Sequence, residues 1–195
     1  MKLDTSKIKE LREKTGLSVM ECKKALEEAN EDIEKALEIL KKKGLEISEK
    51  KEKKEVREGK IGAYVHTNGK IGVLVEVNCE SDFVARNNEF EELIKNLCLQ
   101  IAAMKPRWID IDSVPQEIIK DKINEFKEIF KDKPENVIEK IIEGKLNDFY
   151  KENVLLKQNF IRDESITIEE YIKSKIAKLG ENIKIKRFAR FEIGE

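Results

Sequence analysis

The sequence predicts an α+β protein in which a small helical bundle precedes a three-stranded antiparallel sheet with helices packed on it. Two observations favour this class. Apolar residues recur three and four positions apart through most of the chain, which is the spacing of amphipathic helices. The period changes to about two at residues 59–77 and again at 183–193, which indicates strands with one face toward a core.

The composition limits what the protein can be. It has 195 residues, of which 41% are charged and 39% hydrophobic, enough for one or two packed domains with a strongly ionic surface. The formal net charge of -1 gives no long-range attraction to nucleic acid or to an anionic membrane, so we expect a protein or small-molecule partner. No apolar stretch reaches the roughly 18 residues that span a bilayer, and the opening residues lack the apolar centre of a secretion signal. We therefore expect a cytoplasmic protein.

Residues 1–45 are expected to form three short helices. The first ends before Gly16, because glycine adopts the left-handed conformation just past a helix at low cost. The second opens with Ser18 and Glu21 in the spacing of a capping box, and the third stops at Gly44. A bundle of this size is near the lower limit for an independent core, which suggests a docking module.

The next segment is predicted to be a charged linker helix. Residues 46–58 read EISEKKEKKEVRE, with ten charged residues in thirteen, and offer almost nothing to bury. The remaining residues, 59–195, are expected to form the second domain. It begins with a hairpin, because Asn68-Gly69 lies between two alternating apolar runs and both central positions of such a turn favour a positive φ.

Four helices and a last strand follow the hairpin. Their limits are marked by Pro106, Pro115, Pro134 and Gly180. Thr167 and Glu170 repeat the capping-box spacing and open the last of these helices. The closing strand alternates apolar and charged residues but changes phase at Arg187 and Phe188. We expect it to be the third strand, beside the hairpin.

The sequence contains no recognisable catalytic signature, so we expect a protein that is not an enzyme. It lacks both common glycine-rich phosphate loops, and its three cysteines and one histidine are too few and too scattered to suggest a metal site; no cofactor is expected. A nucleophilic pair of Cys79 and His66 would need the hairpin to bring them together, and no third orienting residue is evident. Cys22 and Cys98 fall on apolar helical stripes and are expected to be buried.

Residues 78–87 (NCESDFVARN), between the second strand and the helix that follows it, contain a residue that a purely structural connection does not require. A turn from a strand to a helix requires an N-cap, which Ser81 or Asp82 can supply. It does not require Phe83 in the polar entrance of the helix. The aromatic ring can be a staple onto the core or a wedge presented to a partner, and the sequence leaves both interpretations open.

The same stretch carries a resemblance to a known family. ESDFVARNNEF resembles the signature of bacterial elongation factor Ts, the guanine-nucleotide exchange factor of elongation factor Tu, with Ser81 in place of the usual threonine. The segment LREKTGLSVMECKKALEEANEDIEKALEILKKKG is similar to the family's N-terminal ubiquitin-associated-type module, and NVLLKQNFIRDESITIEEYI and KRFARFEIGE resemble its closing region. The length is similar to that of the short form, in which the core is not duplicated.

The resemblance implies a function and a set of residues. It implies binding to elongation factor Tu, both with GDP and without nucleotide, and release of GDP during the elongation phase of protein synthesis. The ubiquitin-associated-like module, residues 1–45, would dock on the nucleotide domain of the partner, and the core, residues 59–195, would carry the exchange activity. The implied docking residues are Arg12, Met20 and Lys23. The implied exchange wedge, which disturbs the magnesium and phosphate site of the partner, is Ser81, Asp82, Phe83 and Val84.

Two further expectations concern association. We expect a homodimer, because the closing strand has a solvent-exposed face and carries the large apolar residues Phe188, Phe191 and Ile193. A two-fold pairing would bury aromatic surface that a monomer leaves exposed. The alternative function is an adaptor that binds RNA or a ubiquitin-like fold through its helical bundle. Its basic residues are Lys23, Lys24, Lys41, Lys42 and Lys43. Glutamates interleaved with them favour a solvated face, so no direct contact with nucleic acid or membrane is expected.

Overall fold

The computed structural model describes residues 5–194 and confirms the α+β class. Within these residues there are eight helices, a three-stranded antiparallel sheet and a two-stranded sheet. The helices are α1 (Thr5–Thr15), α2 (Val19–Glu28), α3 (Ile33–Lys51), α4 (Asp82–Ala85), α5 (Asn88–Met104), α6 (Gln116–Ile129), α7 (Glu135–Asn153) and α8 (Ile168–Leu179). The strands are β1 (Glu58–Val65), β2 (Ile71–Cys79), β3 (Asn159–Phe160), β4 (Asp163–Thr167) and β5 (Ile183–Glu192).

The first three helices pack around a hydrophobic cluster of their own. Its buried members are Leu11, Leu17, Cys22, Ala25, Leu26, Ala29, Ala36 and Leu40. The predicted capping box is present at the start of α2. The Ser18 hydroxyl accepts from the Glu21 N–H, and the Glu21 carboxylate accepts from the Ser18 N–H at 3.1 Å. The likeness of this bundle to a ubiquitin-associated module stays a prediction.

The predicted end of the third helix at Gly44 is wrong. Helix α3 continues to Lys51, so it takes in the first part of the expected linker, residues 46–58, and buries Ser48 within it. Gly44 is itself buried and lies against Ala177 of α8. Because glycine has no side chain, α3 and α8 can approach each other closely at this point. The preference of glycine for the position just after a helix, on which the prediction rested, does not take such packing into account.

The three-stranded sheet is antiparallel throughout, as predicted, and its order is β1-β2-β5. The sequence placed the closing strand beside the hairpin but left open which hairpin strand it pairs with, and the structure shows that this is β2.

The predicted hairpin is present, but its turn is not the predicted one. Val65 pairs with Gly72, the His66 N–H donates to the Ile71 carbonyl at 2.8 Å, and of the two central residues only Gly69, not Asn68, has a positive φ.

Glu76 pairs with Arg187 and Val77 with Ile185, so Lys186 is the extra residue of a bulge. This bulge is the physical cause of the change of phase in the closing strand.

One face of the sheet packs against helices. Val73, Val75, Val77 and Cys79 of β2 are buried, and α5 contributes Phe90, Leu93, Leu97 and Ile101 to the same core. Helix α8 lies between this core and the bundle. It places Ile168, Ile172 and Ile176 in the core and Ala177 against the bundle cluster. The two hydrophobic clusters therefore meet at α8.

Two parts of the chain have little core of their own. No residue of α6 is buried, and Ile142 is the only buried residue of α7, so these two helices pack mainly on each other. The small β3–β4 hairpin was not predicted, because β3 has only two residues and is too short to show an alternation of apolar and polar side chains.

Candidate functional site

The segment singled out in the sequence forms a four-residue helix, α4, between β2 and α5. Ser81, rather than Asp82, is its N-cap: Ser81 has extended backbone angles, and its hydroxyl accepts from the Val84 N–H at 3.4 Å. Asp82 is the first helical residue, and its carboxylate faces the Arg86 guanidinium at 3.2 Å. Both of these charged side chains are exposed for half or more of their area.

Adjacent residues of α4 have opposite environments. Phe83 is 84% exposed, whereas Val84 and Ala85 are 9% and 5% exposed and belong to the core. The interpretation of Phe83 as a staple onto the core is therefore wrong. Val84, expected as part of the exposed element, instead anchors α4 to the protein. An aromatic side chain left in water on an anchored helix is available to a partner.

The turn after α8 holds this helix in place. The Glu181 carboxylate accepts from the Ser81 N–H at 2.9 Å and from the Ser81 hydroxyl at 2.6 Å. In return, the Glu80 carboxylate accepts from the Asn182 N–H at 2.7 Å. Burial alone would raise the pKa of Glu80, but this hydrogen bond and the charges of Lys54 and Lys51 outweigh burial and lower it.

The Cys79 thiol lies under the same turn but has no nucleophilic character. It donates to the Ser81 carbonyl at 3.2 Å, and burial together with the charge of Glu181 raises its pKa to about 11. His66 is at the opposite end of the hairpin, since Cys79 pairs with Glu58 while Val65 pairs with Gly72. The hairpin does not bring the two residues together, so the Cys-His pair is excluded.

The predicted docking residues lie on the surface of the bundle. Arg12 and Lys23 are exposed, and Met20 is 62% exposed. Met20 and Lys23 are three positions apart on α2 and so share one face. Val19, 48% exposed, extends this surface and was not predicted, because one apolar residue beside a capping serine gives no periodic signal.

Comparison with known proteins decides the family. A family model described as Elongation factor TS matches residues 3–195. Elongation factor Ts of Thermosipho melanesiensis is 56% identical over 190 residues, covering 96% of this chain and 97% of the relative. Elongation factor Ts of Fervidobacterium nodosum is 53% identical over 197 residues, and the match covers the whole of both chains. Elongation factor Ts of Caldanaerobacter subterraneus is 54% identical over 190 residues, which cover 96% of this chain and 95% of the relative.

The chain belongs to the elongation factor Ts family. This confirms the resemblance that the sequence suggested. The family is that of the nucleotide exchange factor for elongation factor Tu in translation elongation.

Within residues 5–194, no cluster of three histidine, cysteine or acidic side chains is arranged to hold a metal ion. Over the same range, no helix has both the length and the apolar character needed to cross a bilayer.

Proposed function

We propose that this protein binds GDP-bound elongation factor Tu in the cytoplasm and speeds GDP release by inserting α4 beside the magnesium and phosphate site of the partner. The exposure of Phe83 carries the proposal: a large apolar ring lies 84% in water on a helix whose next two residues are fixed in the core. Transfer of such a ring from water into an apolar pocket of a partner is favourable and contributes to binding. Asp82 and Ser81 flank it, and Val84 acts as the anchor.

The mechanism is thermodynamic linkage rather than covalent catalysis. Magnesium bridges phosphate oxygens and side chains of a GTPase, so a wedge that displaces its surroundings weakens metal and nucleotide together. By reciprocity, bound GDP weakens the hold of the exchange factor by the same factor. The protein therefore binds the nucleotide-free partner more tightly than the GDP-bound one, and an incoming nucleotide releases it.

Phe83 alone does not supply enough binding energy. Burial of a phenylalanine contributes about 1.5 to 3 kcal/mol, which is roughly a 10- to 200-fold change in an equilibrium. Docking by the bundle supplies the rest in this proposal. Its contact surface includes Arg12, Met20 and Lys23, with Val19 beside them. An exposed Met next to a cationic side chain fits an interface better than a solvated face.

The homodimer remains a proposal, with a revised surface. Phe188 packs against the core, so it does not belong to the outer face of the sheet. The outer face carries exposed apolar side chains on all three strands, Ile61, Val65, Leu74 and Phe191, with Ile193 just beyond β5, together with the Glu76–Arg187 ion pair. A second copy of the chain, placed face to face on this sheet, would cover them.

Displacement of fluorescent GDP tests the function. Elongation factor Tu loaded with fluorescent GDP is mixed with excess unlabelled GDP, with and without this protein. We expect release to accelerate with increasing protein and to reach a plateau, because exchange proceeds within a complex. Salt-dependent binding of RNA by the protein with no acceleration of release would favour the adaptor interpretation instead.

A further inference from the structure

Three helices, α2, α4 and α8, begin with a hydroxyl N-cap residue whose backbone N–H donates to a glutamate carboxylate. In two of them the glutamate belongs to the same helix, and in the third it comes from a distant part of the chain. At α2 and α8, the N-cap hydroxyl residue is followed three positions later by a glutamate, Glu21 or Glu170, that accepts from the N-cap N–H. At α4 the corresponding third position is Val84, which is buried and has no acceptor. A local capping box is therefore impossible at α4.

Glu181 takes the place of the missing local carboxylate from 100 residues away. It accepts from the Ser81 N–H at 2.9 Å, as Glu170 accepts from the Thr167 N–H at 3.0 Å. It also accepts from the Ser81 hydroxyl at 2.6 Å, where the equivalent contact of Glu170 is 3.5 Å. Hydrogen bonds to an ionised carboxylate are the stronger kind, and both contacts of Glu181 are short.

A second contact runs in the opposite direction between the same two turns. Glu80 accepts from the Asn182 N–H at 2.7 Å, so each turn supplies one carboxylate to a backbone N–H of the other. Cys79 and Ile183 are the last paired residues of β2 and β5. The two glutamates thus continue the connection between the strands beyond the end of the ladder, up to Ser81, the N-cap of α4.

A helix as short as α4 depends on such support. Forming one helical turn fixes several dihedral angles for a single hydrogen bond, so four residues do not hold a helix by themselves. The α4 backbone bonds run from the Ala85 N–H to Ser81 and from the Arg86 N–H to Asp82, at 3.2 and 3.1 Å. Ser81 is part of the first of these bonds, and Glu181 fixes Ser81.

We propose that Glu181 is a positioning residue for exchange: it completes a long-range capping box on Ser81 and thereby sets the direction in which Phe83 is presented. This role does not require Glu181 to touch elongation factor Tu. This inference rests on the proposed function, because it gives Glu181 a role only through Phe83. It assigns a role to the turn after α8, which the sequence analysis did not single out.

The first test uses the isolated protein. NMR amide exchange of Val84, Ala85 and Arg86 is measured in the wild type, Glu181→Ala and Glu181→Gln. We expect Glu181→Ala to speed exchange at these amides about tenfold or more, since hydrogen bonds to a charged group are worth about that factor. Glutamine has the same length, accepts from the Ser81 N–H and donates to its hydroxyl, so it should restore most of the protection. Equal exchange in wild type and Glu181→Ala would overturn the proposal.

The second test measures GDP release at saturating protein. We expect Glu181→Ala to lower the plateau rate about tenfold by the same reasoning and Glu181→Gln to restore most of it. In a Phe83→Ala background, Glu181→Ala should have no further effect, because it acts through that ring. Additive effects of the two substitutions, or no rescue by glutamine, would contradict a positioning role.

Glu170→Ala is the matched control. It removes the same pair of contacts from an N-cap at the start of α8, so it reports the general cost of losing a capping box. It should leave both the α4 amides and the plateau rate unchanged; an equal loss of rate would show that Glu181 acts through overall stability. A Glu181→Ala protein that is unfolded at 25 °C would lead to the same conclusion.

The outcomes separate this inference from the proposed function. If Phe83→Ala releases GDP at the wild-type plateau rate, both the wedge and the positioning role are overturned. If Phe83→Ala slows release and Glu181→Ala does not, the wedge stands and only the positioning role is lost.

Discussion

At the scale of single residues, neighbours in α4 serve opposite purposes. Phe83 lies in water while Val84 is in the core, and Ser81 caps the helix between a local donor and a distant carboxylate. The sequence predicted a cap here and marked Phe83 as unusual. It could not predict the direction of the ring, because four helical residues contain no period from which a buried face can be read.

The exposure of Phe83 leads to a prediction on stability. Phe83→Ala should leave the free energy of unfolding nearly unchanged, because the side chain makes little contact with the core. Phe90→Ala is the matched control. Phe90 is fully buried in α5, the next helix along the chain, and its truncation should cost about 3 to 5 kcal/mol. Urea denaturation of both variants checks this; a loss above about 1 kcal/mol for Phe83→Ala would argue for a structural role.

At the scale of elements, the contacts of α8 were the least predictable from the sequence. The periodic stripes of α5 and α8 were enough to predict both helices, and the capping box at Thr167 located the start of α8. The sequence predicted a separate linker helix over residues 46–58, but not that α3 would run through Gly44 into that segment and pack on α8. Local rules place a glycine at a helix end, whereas the tertiary packing uses it inside a helix.

The position of Gly44 can be tested by substitution. A Cβ added there would lie 3.5 Å from the Ala177 Cβ, an ordinary contact, so Gly44→Ala should raise stability by about 0.5 to 1 kcal/mol through helix propensity. Gly62→Ala is the contrasting variant, because its Cβ would collide with Ile94 and crowd Cys98; we expect a loss of about 1 to 3 kcal/mol. Thermal unfolding distinguishes the two. A large loss for Gly44→Ala would contradict the packing described here.

The contact between α5 and α8 predicts a dependence on pH. Hydrogen bonds from Lys175 and Lys178, each at 2.6 Å, hold the pKa of Glu89 below its ordinary value of 4.5. Because the pKa is lowered by folding, ionised Glu89 stabilises the protein above pH 4.5, and this contribution disappears as the pH falls through the folded-state value.

Glu89→Gln is the variant that reports this contribution. The difference in unfolding free energy between wild type and Glu89→Gln should be largest near pH 6 and shrink toward pH 3. Glu164→Gln, at an exposed position on β4, is the control and should show a much smaller change. A constant difference for Glu89→Gln across this range would contradict the assignment.

At the scale of the whole molecule, the alternation of apolar residues was sufficient to predict the antiparallel sheet, but not which strand of the hairpin the closing strand would join. It did not predict that the outer face of the sheet would also carry exposed apolar side chains, because residues such as Val65 and Phe191 come from strands far apart in sequence and meet across Gly72. Helices α6 and α7 were both predicted from the sequence. Their almost complete lack of buried residues could not be predicted, because the burial of a helix face depends on which other elements pack on it.

The outer face of the sheet predicts a homodimer. Analytical ultracentrifugation at micromolar concentration should give twice the mass of the 22.7 kDa chain. Leu74→Lys should shift it toward monomer, because a charge at the centre of this face is costly to bury. Reducing agent should have no effect, since Cys22, Cys79 and Cys98 are buried within the protomer. A monomeric mass for the wild type would remove the proposed dimer.

The two proposed surfaces make different contributions to exchange. In the proposed mechanism the docking surface, represented by Lys23, stays in contact throughout the reaction, so its loss should weaken association. In the same proposal Phe83 acts on the nucleotide site, so its loss should slow release even when every partner molecule is occupied. Ile129, an exposed apolar side chain on α6 with no assigned role, provides a control for truncation as such.

Stopped-flow release of fluorescent GDP from elongation factor Tu, followed over a range of protein concentrations, is the measurement that tests the wedge most directly. Phe83→Ala should lower the plateau rate about tenfold or more, as expected for a ring whose burial is worth about 1.5 to 3 kcal/mol. Lys23→Ala should raise the concentration for half-maximal release and keep the plateau, and Ile129→Ala should match the wild type. A folded Phe83→Ala protein with the wild-type plateau would contradict the proposal that α4 opens the nucleotide site.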